Sequence, residues 1–97
     1  MLQLEECKLK LTEFKVLFGE KFGVIRIGIF GSVARQQNTA DSDIDIVVEL
    51  KNPNYSLMCR LKEQLQNLFG CQVDLLRFRE SLRPMLKHNI QKETIYV

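Results

Sequence analysis

Between Ile44 and Leu50 every second residue is aliphatic: Ile44, Ile46, Val48 and Leu50. Period two with β-branching predicts a strand that buries one face. The constraint lies at the start of the other face, where Asp43 and Asp45 project together. Two residues of strand advance ~6.6 Å, so the Cβ atoms of the two aspartates lie within about 7 Å of each other. Like charges held that close repel and raise each other's pKa unless something neutralises them. A divalent cation neutralises them at low cost, and hard oxygen ligands select Mg²⁺ or Mn²⁺ over zinc. A bare D-x-D is more often a polar strand start, with one aspartate capping a turn.

The flanking elements say what this strand can pack against. Leu4, Cys7, Leu11, Phe14 and Phe18 recur at three and four residues, with Leu17 widening the stripe and Glu6 and Lys10 one turn apart. That spacing predicts an amphipathic helix ending near Gly23. From Val24 to Phe30, Ile25, Ile27 and Ile29 alternate with Arg26 and Gly28, which predicts a first strand. Val33 to Gln36 is expected as a short helix, followed by a polar loop. After the turn Asn52-Pro53-Asn54, in which Asn52 or Asn54 could cap, Leu57, Met58, Leu61, Leu65 and Leu68 predict a helix closed by Gly70. Cys71 to Leu76 reads as a third strand. Ser81 is the expected cap of a last helix with Pro84 in its first turn and Leu82, Met85, Leu86 and Ile90 on its apolar face. Thr94 to Val97 reads as a terminal edge strand. The segments between strands are too unequal for repeated β-α-β units. The expected fold is therefore α/β (α+β), a small mixed β-sheet flanked by helices.

Asp74 lies inside Val73-Asp74-Leu75-Leu76, where a carboxylate is costly to bury unless it is paired or bound to metal. If the third strand neighbours the second, a strand spacing of ~4.8 Å can bring Asp74 beside Asp45. Three carboxylates on one patch suit a two-metal site for phosphoryl or nucleotidyl transfer. The alternative is a lone Asp74 accepting hydrogen bonds from backbone or Arg77. Gly31-Ser32 ends the first strand, where glycine permits a sharp turn and close approach to a ligand. With a helix following, its first N–H groups and the Ser32 hydroxyl form a phosphate-binding corner. Arg35 could pair with a phosphate or brace Asp41 or Asp43.

The interval joins these signals, because Gly31-Ser32 is followed by ten residues and then Asp43-Ile44-Asp45. G-S-x10-D-x-D with a third aspartate on a later strand resembles the signature of the DNA polymerase β-like nucleotidyltransferase superfamily. The fuller string Gly31-Ser32-Val33-Ala34-Arg35 … Ser42-Asp43-Ile44-Asp45-Ile46 resembles its smallest branch, the MNT (minimal nucleotidyltransferase) proteins. Gln36 departs from the glycine that often follows Ala-Arg in that branch. The resemblance implies a polymerase β-like nucleotidyltransferase fold, with residues 1–97 as a single minimal nucleotidyltransferase domain. It also implies that Asp43, Asp45 and Asp74 are catalytic and metal-binding and hold two Mg²⁺ ions. Gly31, Ser32 and Arg35 would bind a nucleoside triphosphate, with ATP as donor. The implied reaction attaches AMP to a hydroxyl of a partner protein, a HEPN-domain ribonuclease toxin that the chain neutralises as its antitoxin. Two alternatives stand beside it. One is a non-catalytic antitoxin that binds its toxin stoichiometrically; the other is a dimeric nucleotidyltransferase acting on RNA or a small molecule.

Composition excludes other classes. A net charge of +2 with both signs interspersed leaves no basic stripe, so no direct nucleic-acid contact is expected and homo-oligomerisation stays open. Cys7, Cys59 and Cys71 are odd in number, lack a C-x-x-C pair and sit at or beside apolar positions, which favours reduced, half-buried thiols. The start Met1-Leu2-Gln3-Leu4-Glu5-Glu6 lacks a signal-peptide pattern, and no apolar run approaches the ~20 residues of a membrane span. A cytoplasmic protein with no membrane contact is expected. His88 reads as a solvated surface residue and Phe30 as core, while Tyr55 and Tyr96 carry no distinguishing signal.

Overall fold

A computed structural model describes residues 2–40 and 43–97. The elements run α1 (Leu4–Phe22), β1 (Val24–Phe30), α2 (Gly31–Ala34), β2 (Ile44–Leu50), α3 (Tyr55–Phe69), β3 (Val73–Arg77), α4 (Pro84–Glu93) and β4 (Ile95–Tyr96). The four strands form one mixed sheet in the order β3-β2-β1-β4. β1 is antiparallel to β2 and to β4, whereas β2 and β3 are parallel. A parallel pair needs a crossover, and α3 supplies it. Among the described residues no helix is long and apolar enough to cross a membrane.

The alternation read in the sequence divides the sheet into two faces. Ile27 and Ile29 of β1, Ile44, Ile46, Val48 and Leu50 of β2, and Val73 of β3 pack with Cys7, Leu11, Phe14 and Phe22 of α1 and Leu61, Leu65 and Phe69 of α3. Burying a side chain of this size contributes about 1.5–3 kcal/mol, and this face carries most of the apolar core. On the opposite face a smaller cluster joins Val47, Phe78, Leu82 and Ile90, with Phe30, Leu76 and Tyr96 against it. Arg26 crosses that face. Its Nε donates to Glu49 Oε1 at 2.8 Å, and its guanidinium lies 4.9 Å from the Phe78 ring centroid and 4.8 Å from that of Tyr96. One cation thus ties β1 to its neighbour β2, to the residue that follows β3 and to β4.

Helix ends follow local chemistry. Gly23 and Gly70 close α1 and α3 in the left-handed conformation. Asn54, one of the two expected caps, accepts the Leu57 N–H at 2.8 Å through Oδ1. The Glu6–Lys10 pair forms across one turn at 3.6 Å.

Several expectations are corrected. Leu17 is exposed, because Phe22 and the small Gly19 complete the buried stripe of α1. Ile25 is exposed as well: the pairing shifts from Val24↔Leu50 to Arg26↔Glu49, so Ile25 is the extra residue of a β-bulge and leaves the core face. β3 runs from Val73 to Arg77 rather than starting at Cys71. Arg83, not Ser81, precedes the first turn of α4, with Pro84 at its first position. Of that helix's predicted apolar face only Ile90 is buried within it; Met85 and Leu86 are exposed, and Leu82 packs from the preceding loop. The thiols are unpaired as expected, but Cys7 is fully buried and Cys59 exposed. Phe30 packs as expected and His88 is exposed.

The position where the sequence departs from its resemblance has a physical consequence. Gln36 has φ 58, the left-handed region that glycine occupies without Cβ strain. Gln36→Gly should raise stability by about 0.5–1 kcal/mol, the left-handed cost removed less the entropy glycine adds to the unfolded chain. Urea unfolding should show a higher midpoint with an unchanged slope.

Candidate active site

The predicted site residues converge where β1 ends and the parallel strands β2 and β3 begin. The β2–β3 register pairs Asp45 with Asp74 directly, and the β1–β2 register sets Phe30 opposite Asp45. Because side chains alternate, Asp45 shares the face of Val47, and Asp74 that of Leu76. Asp43, one residue before β2, is exposed, as is Asp74, while Asp45 is half-buried.

Gly31 forms the wall behind Asp45. It has φ +74, and a Cβ built there would lie 2.1 Å from Asp45 Oδ2. No L side chain fits that space, and few tolerate that backbone. The sharp turn predicted at Gly31-Ser32 is therefore also the close approach that seats the carboxylate. The helical turn itself spans Gly31–Ala34 rather than Val33–Gln36, so Gly31 and Ser32 lie within it. Buried Val33 anchors the turn in the larger core. The Gly31 and Ser32 carbonyls accept the N–H groups of Arg35 (3.1 Å) and Gln37 (2.8 Å), which leaves the turn's own first N–H groups facing back toward the end of β1.

Arg35 does not brace Asp43. Its NH1 donates to Glu93 Oε2 at 3.1 Å and its Nε to Gln37 Oε1 at 3.3 Å. The ion pair links the turn after β1 to the end of α4. Glu93 is the residue that sequence reading missed, since nothing local relates positions so far apart in the chain. Asp41 and Ser42, which the sequence offered as a partner of Arg35 and as part of the motif, lie outside the described residues.

The electrostatics carry the mark of crowded carboxylates. Asp45's carboxyl is pushed above the ordinary carboxylate range, first by burial, then by the charge of Asp74, its hydrogen bond with Asp74 and the charge of Asp43. Arg35 pulls in the opposite direction. Among the described residues no three His, Cys, Asp or Glu side chains are gathered tightly enough to hold a metal ion at once. The donor chemistry nonetheless fits a hard divalent cation. The ligands available are all oxygen, and Asp45 carries the like-charge penalty that such an ion removes. With no Cβ at Gly31, the turn's backbone lies directly against the Asp45 carboxylate, so a ligand held by that carboxylate would also meet the Gly31-Ser32 backbone.

Residues 11–97 match the nucleotidyltransferase-domain family. The chain is 39% identical over 98 residues to the protein adenylyltransferase MntA of Thermococcus cleftensis, covering 100% of this chain and 98% of that protein. A solved structure provisionally named a minimal nucleotidyltransferase superposes with a TM-score of 0.80 at 30% identity, over 97% of this chain and 95% of its own. A chain from the complex of tri-AMPylated Shewanella oneidensis HEPN toxin with MNT antitoxin shares the fold. Its TM-score is 0.67 at 21% identity, over 93% of this chain and 70% of that one.

The raised Asp45 pKa has a testable sign. Folding holds the proton more tightly than the unfolded chain does, so stability falls as pH rises through the interval between the two values. Below the unfolded value of ~3.9 the penalty is absent; above the folded value it is complete. With chelator present, Asp45→Asn should therefore melt higher than the parent at pH 7, and the gap should close as pH is lowered toward 4. Thermal unfolding across that range measures it.

Proposed function

The chain belongs to the nucleotidyltransferase-domain family, and from that premise we propose that it transfers AMP from ATP to a hydroxyl of a partner protein, a HEPN-domain toxin that it thereby neutralises. The observation that carries the reading is the register that sets Asp74 opposite Asp45 with the Gly31 backbone against the same carboxylate. The toxin as partner, and AMP as the group transferred, are supported by likeness to the MntA adenylyltransferase and to the HEPN–MNT complex.

In this reading Asp43, Asp45 and Asp74 hold two Mg²⁺ ions. The ions would neutralise the carboxylates and the triphosphate and make the α-phosphorus more electrophilic. The chain's own groups do the rest. Gly31 and Ser32 offer backbone N–H groups and a hydroxyl to the β- and γ-phosphates. Arg35 is exposed, and an exposed ion pair such as the one with Glu93 contributes about 0–1 kcal/mol, so exchanging Glu93 for a phosphate is inexpensive. Asp74 lies on the outermost of the two parallel strands and helps take the proton from the incoming hydroxyl. That oxygen bonds to the α-phosphorus in line with the departing group. The bond to the bridging oxygen breaks, and pyrophosphate leaves with its electron pair. The whole of residues 1–97 serves as one minimal nucleotidyltransferase domain.

Purified chain, α-labelled ATP, Mg²⁺ and the HEPN protein should give label on the HEPN protein. Asp43→Asn with Asp45→Asn should lower transfer by more than about 10³-fold, with a thermal transition at least as high as the parent's. Full transfer by that double variant would sink the assignment. Neutralisation of the toxin by the double variant at normal dose would instead favour a binding antitoxin without chemistry.

A further inference from the structure

The sheet is open on the side of the candidate active site. β3 is an edge strand, and among the described residues no strand pairs with its outer side. The Ile44 N–H donates to Gln72 O at 3.3 Å, and the Phe78 N–H to Val48 O at 2.8 Å. Even-numbered positions along β3 therefore turn their backbone groups toward β2, and Val73, Leu75 and Arg77 turn theirs outward. The Val73 N–H is taken by Gln66 Oε1 at 3.2 Å, so the open stretch begins at Leu75. An edge of this kind is a template for another strand.

A groove of about 240 Å³ runs alongside it, lined by Tyr55, Met58, Cys59, Lys62 and Leu75, and a second of about 210 Å³ continues past Tyr55 and Met58 to Arg77. Tyr55 is 86% exposed, an aromatic ring standing at the mouth of both. The charged groups lining the two grooves are Lys62 and Arg77, both cationic. A second copy would bring the same cations against them, whereas an acidic segment would complement them.

We propose that an extended acidic segment of the acceptor protein adds to the free edge of β3, which brings an acceptor hydroxyl to Asp74. This rests on the protein-acceptor reading above and deepens it. The backbone N–H and C=O groups of Leu75 and Arg77 pair with the segment. Its alternate side chains fall on Leu75, Met58 and Tyr55 on the helix side, with acidic neighbours against Lys62 and Arg77. The remaining side chains project from the other face, the face of Asp74. A hydroxyl-bearing residue opposite Asp74 then approaches the carboxylate pair from outside the sheet, the one lateral direction not filled by β1 and β4. Docking and acceptor deprotonation thereby share one strand.

The test is amide hydrogen exchange on the ¹⁵N-labelled full chain, alone and with the HEPN protein, with complex mass and label transfer read on the same samples. The Leu75 and Arg77 amides should exchange at least about tenfold more slowly in the complex. Lys62→Glu with Arg77→Glu should weaken the complex at least about tenfold, one to two charge pairs' worth, while the thermal shift given by ATP and Mg²⁺ stays that of the parent. A complex that forms and transfers label while both amides exchange at their free rates overturns the docking and leaves the functional reading standing. Protection that instead grows with the concentration of the chain alone, together with a doubled mass, assigns the edge to a second copy and overturns the proposal. No complex at all overturns the partner and the docking together.

Discussion

The parallel pairing of β2 with β3, in the register that sets Asp45 against Asp74, is the constraint on which the rest depends. A parallel pair cannot be closed by a tight turn, so the chain must leave the sheet, cross one face as α3 and return. That crossover, with α1 beside it, covers the face carrying Ile44, Ile46, Val48 and Val73. The other face receives only a light cover from Phe78, Leu82 and Ile90. The unequal cover leaves room for carboxylates. Had helices covered both faces equally, Asp45 and Asp74 would meet the full cost of burying charge.

The parts legible in the sequence were those with a strong local period or a fixed interval. Ile44 to Leu50 reads as a strand because aliphatic residues alternate along it, and α3 reads as a helix because its leucines recur between Asn54 and Gly70. The convergence of Gly31, Asp45 and Asp74 at the candidate site reads from the spacing of Gly31-Ser32 to Asp43-Ile44-Asp45 and from the one carboxylate in β3. What escaped depends on partners distant in sequence. Ile25 continues the β1 alternation without fault, yet a bulge expels it because Arg26 pairs with Glu49 while Phe78 and Tyr96 flank its guanidinium. Met85 and Leu86 sit at helical spacing with Ile90, but the small face beneath α4 has apolar area for Ile90 and Leu82 and little more. The Arg35–Glu93 pair has no local signature at all.

Gln36 shows how far a resemblance reaches into physics. The family pattern often places glycine there, and the backbone at Gln36 adopts the left-handed conformation that glycine serves. The turn's geometry is thus kept while the residue that fits it best is not. The strain is borne next to Arg35, whose side chain is fastened to Glu93 and Gln37. Strain stored beside a site persists only where its surroundings over-determine the backbone. Here the surroundings are the buried Val33 on one side and the Ser32 carbonyl accepting the Gln37 N–H on the other.

The depth of the carboxylates explains why a nucleotidyltransferase can be built on so thin a frame. Asp45 is half-buried on the inner strand, while Asp43 and Asp74 are exposed at its margins. A fully buried cluster would be protonated or would need permanent partners, and a fully exposed one would hold an ion no better than solvent does. The intermediate arrangement raises the pKa of one carboxyl and leaves the other two open to water. Burial first, and the neighbouring charges second, make the ionised Asp45 costly in the folded chain, so folding stability is linked to the protonation of that carboxyl. Gly31 sets that depth. Any side chain at its position would displace the Asp45 carboxylate, because even a Cβ there would lie 2.1 Å from its Oδ2.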